Sequence, residues 1–185
     1  MSKINFRASV GGNATIRFIA LTFGLLISFT AAAYEPYSIY LVRHAEKVTS
    51  NPEDSDPNLT HCGDQRADRL AVILESIEID VIYSSDYRRT RETAAPVANN
   101  KRLDVQLYDP NMLGQFAEKL QAEKRDTLVV GHSNTTGVLA GMLAGIEIEE
   151  FSEAEYDRLY QVIISPDSAK LSLLHQAFEC KKGPT

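Results

Sequence analysis

The chain has little cysteine, no Cys-x-x-Cys spacing and no long apolar run. Its 185 residues contain two cysteines, Cys62 and Cys180, which are too few to demand a disulfide and give no support for a cysteine-ligated metal site. The apolar stretch near the N-terminus, residues 18–30, is shorter than the roughly 20 residues that a membrane-spanning helix needs. No internal repeat or low-complexity tract is present. These absences favour an ordinary globular domain without a bound metal.

Acidic residues are absent from the first part of the chain. Residues 1–33 carry three basic residues, then the apolar stretch, then Ala31-Ala32-Ala33, which is the layout of a secretory signal peptide. We therefore predict a cleaved leader over residues 1–33 and a mature domain over residues 34–185, which is exported to the periplasm or secreted. An uncleaved anchor is the alternative. No cysteine follows the small residues, so the sequence offers no site for a lipid anchor.

Acidic residues outnumber basic residues in the rest of the chain. The net charge of the whole sequence is -6 at pH 7, and removal of the leader makes it more negative because only basic residues are lost. Such a surface disfavours nucleic acid and anionic membranes as partners. Export to an oxidising compartment would permit Cys62 and Cys180 to pair without compelling them to do so. The length suits one domain, so we expect one site.

Patterns typical of strands and helices alternate along the predicted mature domain. We predict strands over residues 37–42, 80–84, 105–108, 127–131, 159–164 and 170–174. We predict helices over residues 63–77, 88–99, 111–123 and 134–143. The acidic, proline-containing stretch 48–58 is typical of an irregular loop. Strands that alternate with helices of this length indicate an α/β fold with a mostly parallel sheet covered on both faces.

Arg43 and His44 directly follow the first predicted strand. In open α/β sheets, ligands bind just beyond the carboxyl ends of the strands. An unprotonated imidazole can attack an electrophile, and neighbouring guanidinium groups disfavour its cationic form. An arginine presents a planar fork that grips a tetrahedral oxyanion at two points. This pair therefore favours a phosphoryl guest, attacked by His44 and held by Arg43.

Three arginines crowd the segment 84–94, which runs from a strand end into a helix. Backbone N–H groups and the dipole at a helix N-terminus favour an anion. Arg88 and Arg91 are close in sequence to acidic residues, so we expect them to form ion pairs on a solvated face. We place Arg89 in the phosphate pocket.

A second imidazole, His132, follows the strand predicted over residues 127–131. Gly131 would allow a tight turn there, and Asn134 is a candidate cap for the next helix. An imidazole at this place would donate to a phosphoryl oxygen and stabilise the charge that develops in the transition state. We expect Ser133 and Asn134 to bind the same substrate.

Four segments in this order resemble the histidine phosphatase superfamily, also called phosphoglycerate-mutase-like. They are residues 41–46, residues 59–63 together with Ala67, residues 85–94 and residues 131–133. The resemblance spans nearly the whole predicted mature domain. With the predicted leader, it points to a small exported phosphatase branch.

The resemblance implies a three-layer α/β/α sandwich and phosphoryl transfer without a metal or a cofactor. It implies that His44 is transiently phosphorylated, with Arg43, Arg89 and His132 forming the phosphate pocket. The implied partner is a small phosphorylated substrate, and phosphohistidine on a protein is an alternative. We prefer a phosphatase to a mutase because a short chain has little capacity for the lid that retention of a phosphoryl group would need.

The sequence departs from the family pattern at one segment and leaves one role open. The family's usual Ser-Pro-Leu is Ser85-Asp86-Tyr87 here, which puts an acidic side chain beside the pocket. Related enzymes often use a carboxylate after the third strand to protonate the leaving oxygen, and Asp109 is the nearest candidate. Glu46, two residues after the proposed nucleophile, is the alternative acid.

Two other classes of protein fit parts of the sequence. Ser133 lies on a strand-to-helix turn and is followed by Asp157 or Asp167 and then His175, the chain order of an α/β-hydrolase triad. However, Thr135 occupies the last glycine position of that motif, where a β-branched side chain is poorly tolerated. A phosphate-binding module without catalysis is the other alternative. The sequence predicts no oligomeric state.

Overall fold

A computed structural model describes residues 35–148 and 151–181. The predicted leader over residues 1–33 lies outside the described residues. Within the described part, no helix combines the length and the apolar character that crossing a membrane requires.

Strands and helices alternate through most of the described chain, as predicted. The strands are β1 (Tyr37–Arg43), β2 (Val81–Ser85), β3 (Val105–Tyr108), β4 (Thr127–Gly131), β5 (Arg158–Ser165) and β6 (Ser168–His175). The helices are α1 (His61–Ile73), α2 (Arg88–Lys101), α3 (Leu113–Glu123) and α4 (Thr136–Ala144). Each predicted strand and helix is present, with shifts at some of the ends.

The strands form one sheet in the order β3-β2-β4-β1-β5-β6. Strands β1 to β4 pair in parallel, and β5 and β6 add an antiparallel edge. The predicted α/β class with a mostly parallel sheet is therefore confirmed. In the register of the two central strands, Arg43 lies opposite Gly131. The segments that follow β1 and β4 consequently start at the same height, at the carboxyl ends of these two strands.

Successive side chains of β1 pack into opposite layers, because the side chains of a strand alternate between its two faces. Ile39 and Leu41 belong to the core beneath α3 and α4, whereas Tyr40 and Val42 belong to the core beneath α1 and α2. The sheet is thus covered by helices on both faces. This is the three-layer arrangement that the resemblance implied.

Helix α1 begins at His61, two residues earlier than predicted. The hydroxyl of Thr60 caps it by accepting a hydrogen bond from the Gly63 backbone N–H at 3.0 Å. Cys62, in the first turn of this helix, forms a disulfide with Cys180 of the C-terminal tail, with a Cα–Cα distance of 5.3 Å. The pairing that the sequence left open is therefore present.

The turn between β4 and α4 differs from the prediction. Thr135 and not Asn134 precedes the helix, and the Thr135 hydroxyl accepts a hydrogen bond from the backbone N–H of His132 at 2.9 Å. The prediction that Asn134 caps this helix is wrong. Gly131 is required here by crowding, because an added Cβ would lie 2.5 Å from the Tyr108 hydroxyl.

Candidate active site

His44 and His132 lie just beyond the ends of the two central strands. The backbone N–H of His44 donates to the Gly131 carbonyl at 2.9 Å, which extends the pairing of β1 with β4 by one residue. The two imidazole rings meet edge to face, with their centroids 5.5 Å apart. The register of the parallel strands thus brings together two histidines that are distant in sequence.

One ring nitrogen of His44 is committed to the backbone. Nδ1 lies 2.8 Å from the carbonyl oxygen of Ala45, and a carbonyl only accepts, so Nδ1 carries the proton and Nε2 keeps its lone pair. The residue is 3% exposed. Burial, followed by the positive charges of Arg43 and Arg89, lowers the pKa of His44 to about 3. At pH 7 the ring is therefore neutral, with Nε2 available as a nucleophile.

Arg43 lies beneath the loop that joins α4 to β5. Its Nη1 donates to the backbone carbonyls of Glu153 at 2.6 Å and Glu155 at 3.0 Å. The ring of Tyr156 covers the guanidinium group, with Cζ 4.2 Å from the ring centroid. Nε is buried and has no hydrogen-bond partner among the described residues. Burial also lowers the pKa of Arg43.

Arg89, in the first turn of α2, has a side chain that is 11% exposed. Its Nε and Nη1 are buried without a hydrogen-bond partner in the described part of the chain, and Nη1 forms an ion pair with Asp56 Oδ1 at 3.5 Å. The ring of Tyr87 covers the guanidinium group at 4.4 Å from Cζ to the centroid. Buried donors are costly when unpaired. With Nε of Arg43, they form a set of N–H groups suited to an anion.

The imidazole of His132 is neutral as well. Its Nε2 lies 2.9 Å from the Ser85 hydroxyl oxygen at the end of β2. Burial, followed by the positive charges of Arg89, Arg43 and Lys47, lowers the pKa of His132 to about 4. The site therefore holds two neutral imidazoles among positive charges.

One cavity of about 410 Å³ is lined by Arg43, His44, Arg89 and His132. Its volume is within the usual size range for a small-ligand site. Its other lining residues are Lys47, Tyr87, Pro110, Asn111, Ser133, Asn134, Thr135, Phe151 and Glu153. Ser133 and Asn134 thus lie where the sequence predicted a contact with the substrate. Among the described residues, no group of three histidine, cysteine or acidic side chains is arranged to hold a metal ion.

The two carboxylates expected to supply a proton do not line this cavity. Asp109 accepts hydrogen bonds from the backbone and side-chain N–H groups of Asn111, at 2.9 and 3.0 Å, and lines a neighbouring groove. Glu46 forms an ion pair with Arg66 through both carboxylate oxygens. Both acids are therefore committed elsewhere. Glu153, which the sequence did not single out, is the acidic residue among those that line the cavity in the described chain.

The other two arginines of the second motif form surface ion pairs, as predicted. Arg91 pairs with Asp86. Arg88 pairs with Asp54 at 3.2 Å and with Asp56 at 3.5 Å, so its partners come from the loop before α1 and not from its own helix.

The alternative hydrolase triad is not assembled. His175 Nδ1 lies 2.8 Å from Asp157 Oδ2, an exposed pair at the end of β6. Ser133 lines the cavity instead, and no hydrogen bond joins it to His175 in the described chain. The structure thus gives this alternative no support.

Sequence reasoning missed the residues that the loop after α4 contributes. Glu153 and Tyr156 reach Arg43 through a backbone carbonyl and a ring face, and neither belongs to a recognisable motif. Lys47 also lines the cavity, and here a signal was available, because it follows His44 by three residues in the same basic segment. Tyr87 is placed by the segment that carries Arg89.

The model of the family described as Histidine phosphatase superfamily (branch 1) matches residues 39–110. The match covers 72 of the 185 residues, so it shows a likeness of this segment to the superfamily. The matched segment includes His44, Arg43 and Arg89, whereas His132 lies beyond it.

Two curated proteins match parts of the chain. Phosphoserine phosphatase 1 of Hydrogenobacter thermophilus is 42% identical over 72 residues, which are 36% of this chain and 34% of the relative. The probable phosphoglycerate mutase GpmB of Escherichia fergusonii is 29% identical over 142 residues, which are 71% of this chain and 66% of the relative. The chain thus spans about a third of one relative and just under two thirds of the other.

The fold resembles that of a solved protein histidine phosphatase, SixA, in complex with tungstate. The likeness has a TM-score of 0.65 with 18% sequence identity, and it covers 75% of this chain and 97% of that protein. At this level of identity the likeness concerns the fold.

Proposed function

We propose that the chain is a phosphatase that hydrolyses small phosphomonoesters through a phosphohistidine on His44, without a metal or a cofactor. The hydrogen bond from His44 Nδ1 to the Ala45 carbonyl carries this proposal, because it fixes the tautomer in which Nε2 has the free lone pair. The names of the curated relatives support phosphoryl chemistry. The unpaired buried donors of Arg43 and Arg89 support an anionic guest.

In the first step, the phosphoryl group lies between the two guanidinium groups, and Nε2 of His44 attacks phosphorus. The N–P bond forms while the bond from phosphorus to the ester oxygen breaks, and that oxygen leaves with its electron pair and takes a proton. The guanidinium groups neutralise charge on the equatorial oxygens, as phosphoryl transfer requires. His132 lies beside the nucleophile and contacts a phosphoryl oxygen.

In the second step, water attacks phosphorus and the N–P bond breaks. The electron pair returns to Nε2 of His44, the water loses a proton, and inorganic phosphate is released. The sum of the two steps is one phosphomonoester and one water converted to one alcohol and one phosphate. The nucleophile is regenerated in its original tautomer because the bond to Ala45 never has to break.

We propose that Glu153 donates the proton that the leaving oxygen takes. Glu153 is the acidic residue among those that line the cavity in the described chain, its charge acts on Arg43, and its backbone carbonyl accepts the 2.6 Å bond from Arg43. A general acid must reach the leaving atom before its pKa matters. Asp109 and Glu46, the acids expected from the sequence, hydrogen-bond Asn111 and Arg66 instead and are the alternatives to Glu153.

Trapping of the intermediate tests this function. The purified protein is mixed with a radiolabelled phosphomonoester, quenched, and examined for protein-bound label that is lost in acid. We expect label on the wild type and none on His44→Ala, whereas His61→Gln, which alters an exposed histidine of α1, keeps it. Label that persists on His44→Ala contradicts the assignment. Tight phosphate binding with no turnover of any phosphomonoester would favour the non-catalytic module.

A substrate panel then distinguishes hydrolysis from transfer. Phosphoserine and phosphoglycerates belong in it because of the names of the relatives. Release of inorganic phosphate at the rate of substrate loss supports the phosphatase. Isomerised phosphoglycerate without phosphate release supports a mutase.

We also propose that the chain acts outside the cytoplasm. The disulfide between Cys62 and Cys180 supports this location, because such bonds persist in oxidising compartments, and the signal-like pattern of residues 1–33 agrees. Mass spectrometry of the N-terminal peptide in periplasmic and cytosolic fractions tests it. A chain that starts near residue 34 in the exported fraction is expected, and an intact chain confined to the cytosol overturns it.

A further inference from the structure

A chain of buried hydroxyl groups stands behind His132. Nε2 of the imidazole lies 2.9 Å from Ser85 Oγ, which lies 3.1 Å from Thr90 Oγ1. The Thr90 hydroxyl in turn contacts the backbone carbonyl oxygens of Ser85 at 2.8 Å and Tyr87 at 2.9 Å. Ser85 and Thr90 are both fully buried. No part of the proposed reaction has yet used these two side chains.

The direction of the protons follows from the last link. A carbonyl can only accept, so the single hydroxyl proton of Thr90 goes to the backbone and Thr90 can only accept from Ser85. The Ser85 proton is then needed for the 3.1 Å contact with Thr90, since two oxygens without a proton between them would repel. Ser85 therefore accepts from His132, and the ring proton is on Nε2. Such a head-to-tail chain satisfies every buried group.

The other ring nitrogen of His132 is available to a ligand in the cavity. Nδ1 of His132 makes no hydrogen bond with a described residue, and the ring lines the cavity. The groups that face the ring are the guanidiniums of Arg89 and Arg43, the ammonium of Lys47, the imidazole of His44 and the ring of Tyr87. Burial of the ring, together with these positive charges, keeps Nδ1 unprotonated while the cavity holds no anion. A phosphate group reverses this balance because its negative charge offsets theirs.

Resting on the proposed function, we propose that Ser85, backed by Thr90, is a positioning residue that holds the proton on Nε2 of His132. Nδ1 then takes up a proton when a phosphate group enters the cavity and donates a hydrogen bond to one of its oxygens. The proton comes from solvent when the guest is a dianion and from the guest itself when it is a monoanion. No buried hydroxyl has to turn, because the Nε2–H bond to Ser85 is the same in the neutral and the protonated ring.

Nitrogen NMR of the histidine rings tests this proposal directly. For wild type at pH 7 without ligand, we expect the His132 proton on Nε2 and none on Nδ1. After addition of orthophosphate, both nitrogens should carry a proton. Sulfate, which brings no proton of its own at this pH, should have the same effect and thereby identify solvent as a source. A proton on Nδ1 before ligand is added, or an unprotonated Nδ1 in either complex, overturns the proposal.

Two variants of the hydroxyl chain should change the position of the His132 ring proton in different ways. In Ser85→Ala the ring loses its acceptor, so the ring proton should divide between the two nitrogens. In Thr90→Val the Ser85 hydroxyl loses its own acceptor and turns to donate to Nε2, so the ring proton should move to Nδ1 before any ligand is present. Spectra of both variants that match the wild type would refute the role of the chain.

Ser84→Ala is the matched control. Ser84 precedes Ser85 in β2, is equally buried, and donates to the Ser85 carbonyl at 2.9 Å, so this variant removes a buried hydroxyl without touching His132. We expect its ring spectra to match the wild type and its kcat/KM to change little, whereas Ser85→Ala should lose about tenfold in kcat/KM. Equal losses in the two variants would indicate a merely structural role. The NMR readout needs only anion binding, so it stays informative if no phosphomonoester is hydrolysed.

Discussion

Arg43 donates from Nη1 to the backbone carbonyl of Glu153 at 2.6 Å. The bond ties the residue at the end of the central strand to the loop that closes the cavity, and a second bond to the Glu155 carbonyl at 3.0 Å strengthens the tie. The guanidinium group therefore has two tasks. One edge holds the loop in place, and the buried Nε, which has no hydrogen-bond partner among the described residues, is free for the phosphate group that we propose.

Glu153→Gln should reveal whether this loop also supplies the proton of the leaving group. The amide keeps the size and the backbone bond but cannot donate an acidic proton, so kcat for an alkyl phosphate should fall about 100-fold. An aryl phosphate with an acidic phenol leaving group needs little help and should lose far less. Glu155→Gln serves as the control because its carboxylate pairs with Arg158. Equal losses on the two substrates would remove Glu153 from this role.

Arg89→Lys should weaken substrate binding and turnover. The lysine keeps one charge but loses the planar fork, and a hydrogen bond to a charged group contributes about 2 kcal/mol, or about 30-fold in kcat/KM. Arg91→Lys should change kcat/KM less than about twofold, because Arg91 pairs with Asp86 on the surface. Steady-state kinetics on one phosphomonoester compares them. Similar losses in the two variants would contradict the placement of Arg89, and not Arg91, in the pocket.

Folding stability should fall on acidification because of the histidine at the nucleophile position. The pKa of His44 is about 3 in the folded chain and 6.5 as its ordinary value, so the unfolded chain binds a proton first as the pH falls. The contribution is intact above about pH 6.5 and is lost progressively down to about pH 3. Urea unfolding between pH 7 and 4 should therefore show a smaller loss for His44→Gln than for the wild type. A larger loss in the variant would contradict the lowered pKa.

The position of the proposed phosphate pocket follows in part from the sequence because strand ends fix it. His44 and His132 each come directly after a run predicted as a buried strand, and parallel neighbours end at one side of the sheet. That β1 and β4 are neighbours is set by the strand order of the sheet, which no local pattern encodes. Arg89 lies in the first turn of the helix that follows β2 and is placed by the same kind of strand end.

Strand ends alone do not identify the proton donor that we propose, because its place depends on loops. Asp109 has the expected position after β3, but its carboxylate accepts hydrogen bonds from the Asn111 N–H groups. Glu46 lies two residues after His44, but the guanidinium group of Arg66 in α1 binds both of its oxygens. These competing local bonds, and the path of the loop that carries Glu153, are set by tertiary contacts that no periodic pattern encodes.

Gly131→Ala should destabilise the protein by about 1–3 kcal/mol through overpacking. Its Cβ would lie 2.5 Å from the Tyr108 hydroxyl and 2.9 Å from Thr135 Oγ1, and Thr135 holds the backbone of His132. Gly114→Ala is the control, since nothing lies within 4 Å of a Cβ there, and it should stabilise α3 by about 0.5–1 kcal/mol. Thermal unfolding compares the two variants. Equal melting temperatures would show that the turn relaxes at no cost.

Removal of the disulfide should lower stability while leaving the chemistry in place. Cys62 and Cys180 close a loop with a sequence separation of 118, and loss of such a crosslink costs about 2–5 kcal/mol. Neither cysteine lines the cavity, so kcat/KM of the folded Cys62→Ala/Cys180→Ala variant should stay within about twofold of the wild type.

Urea unfolding of this double variant, and of the wild type with and without reductant, measures the effect. Gln65→Ala is the control, because it removes the two hydrogen bonds between α1 and the Lys181 backbone but keeps the crosslink. The double variant and the reduced wild type should lose equal stability, well beyond the loss in Gln65→Ala. If instead Gln65→Ala and the double variant lose the same amount, the tail is held by its hydrogen bonds and the disulfide contributes nothing beyond them.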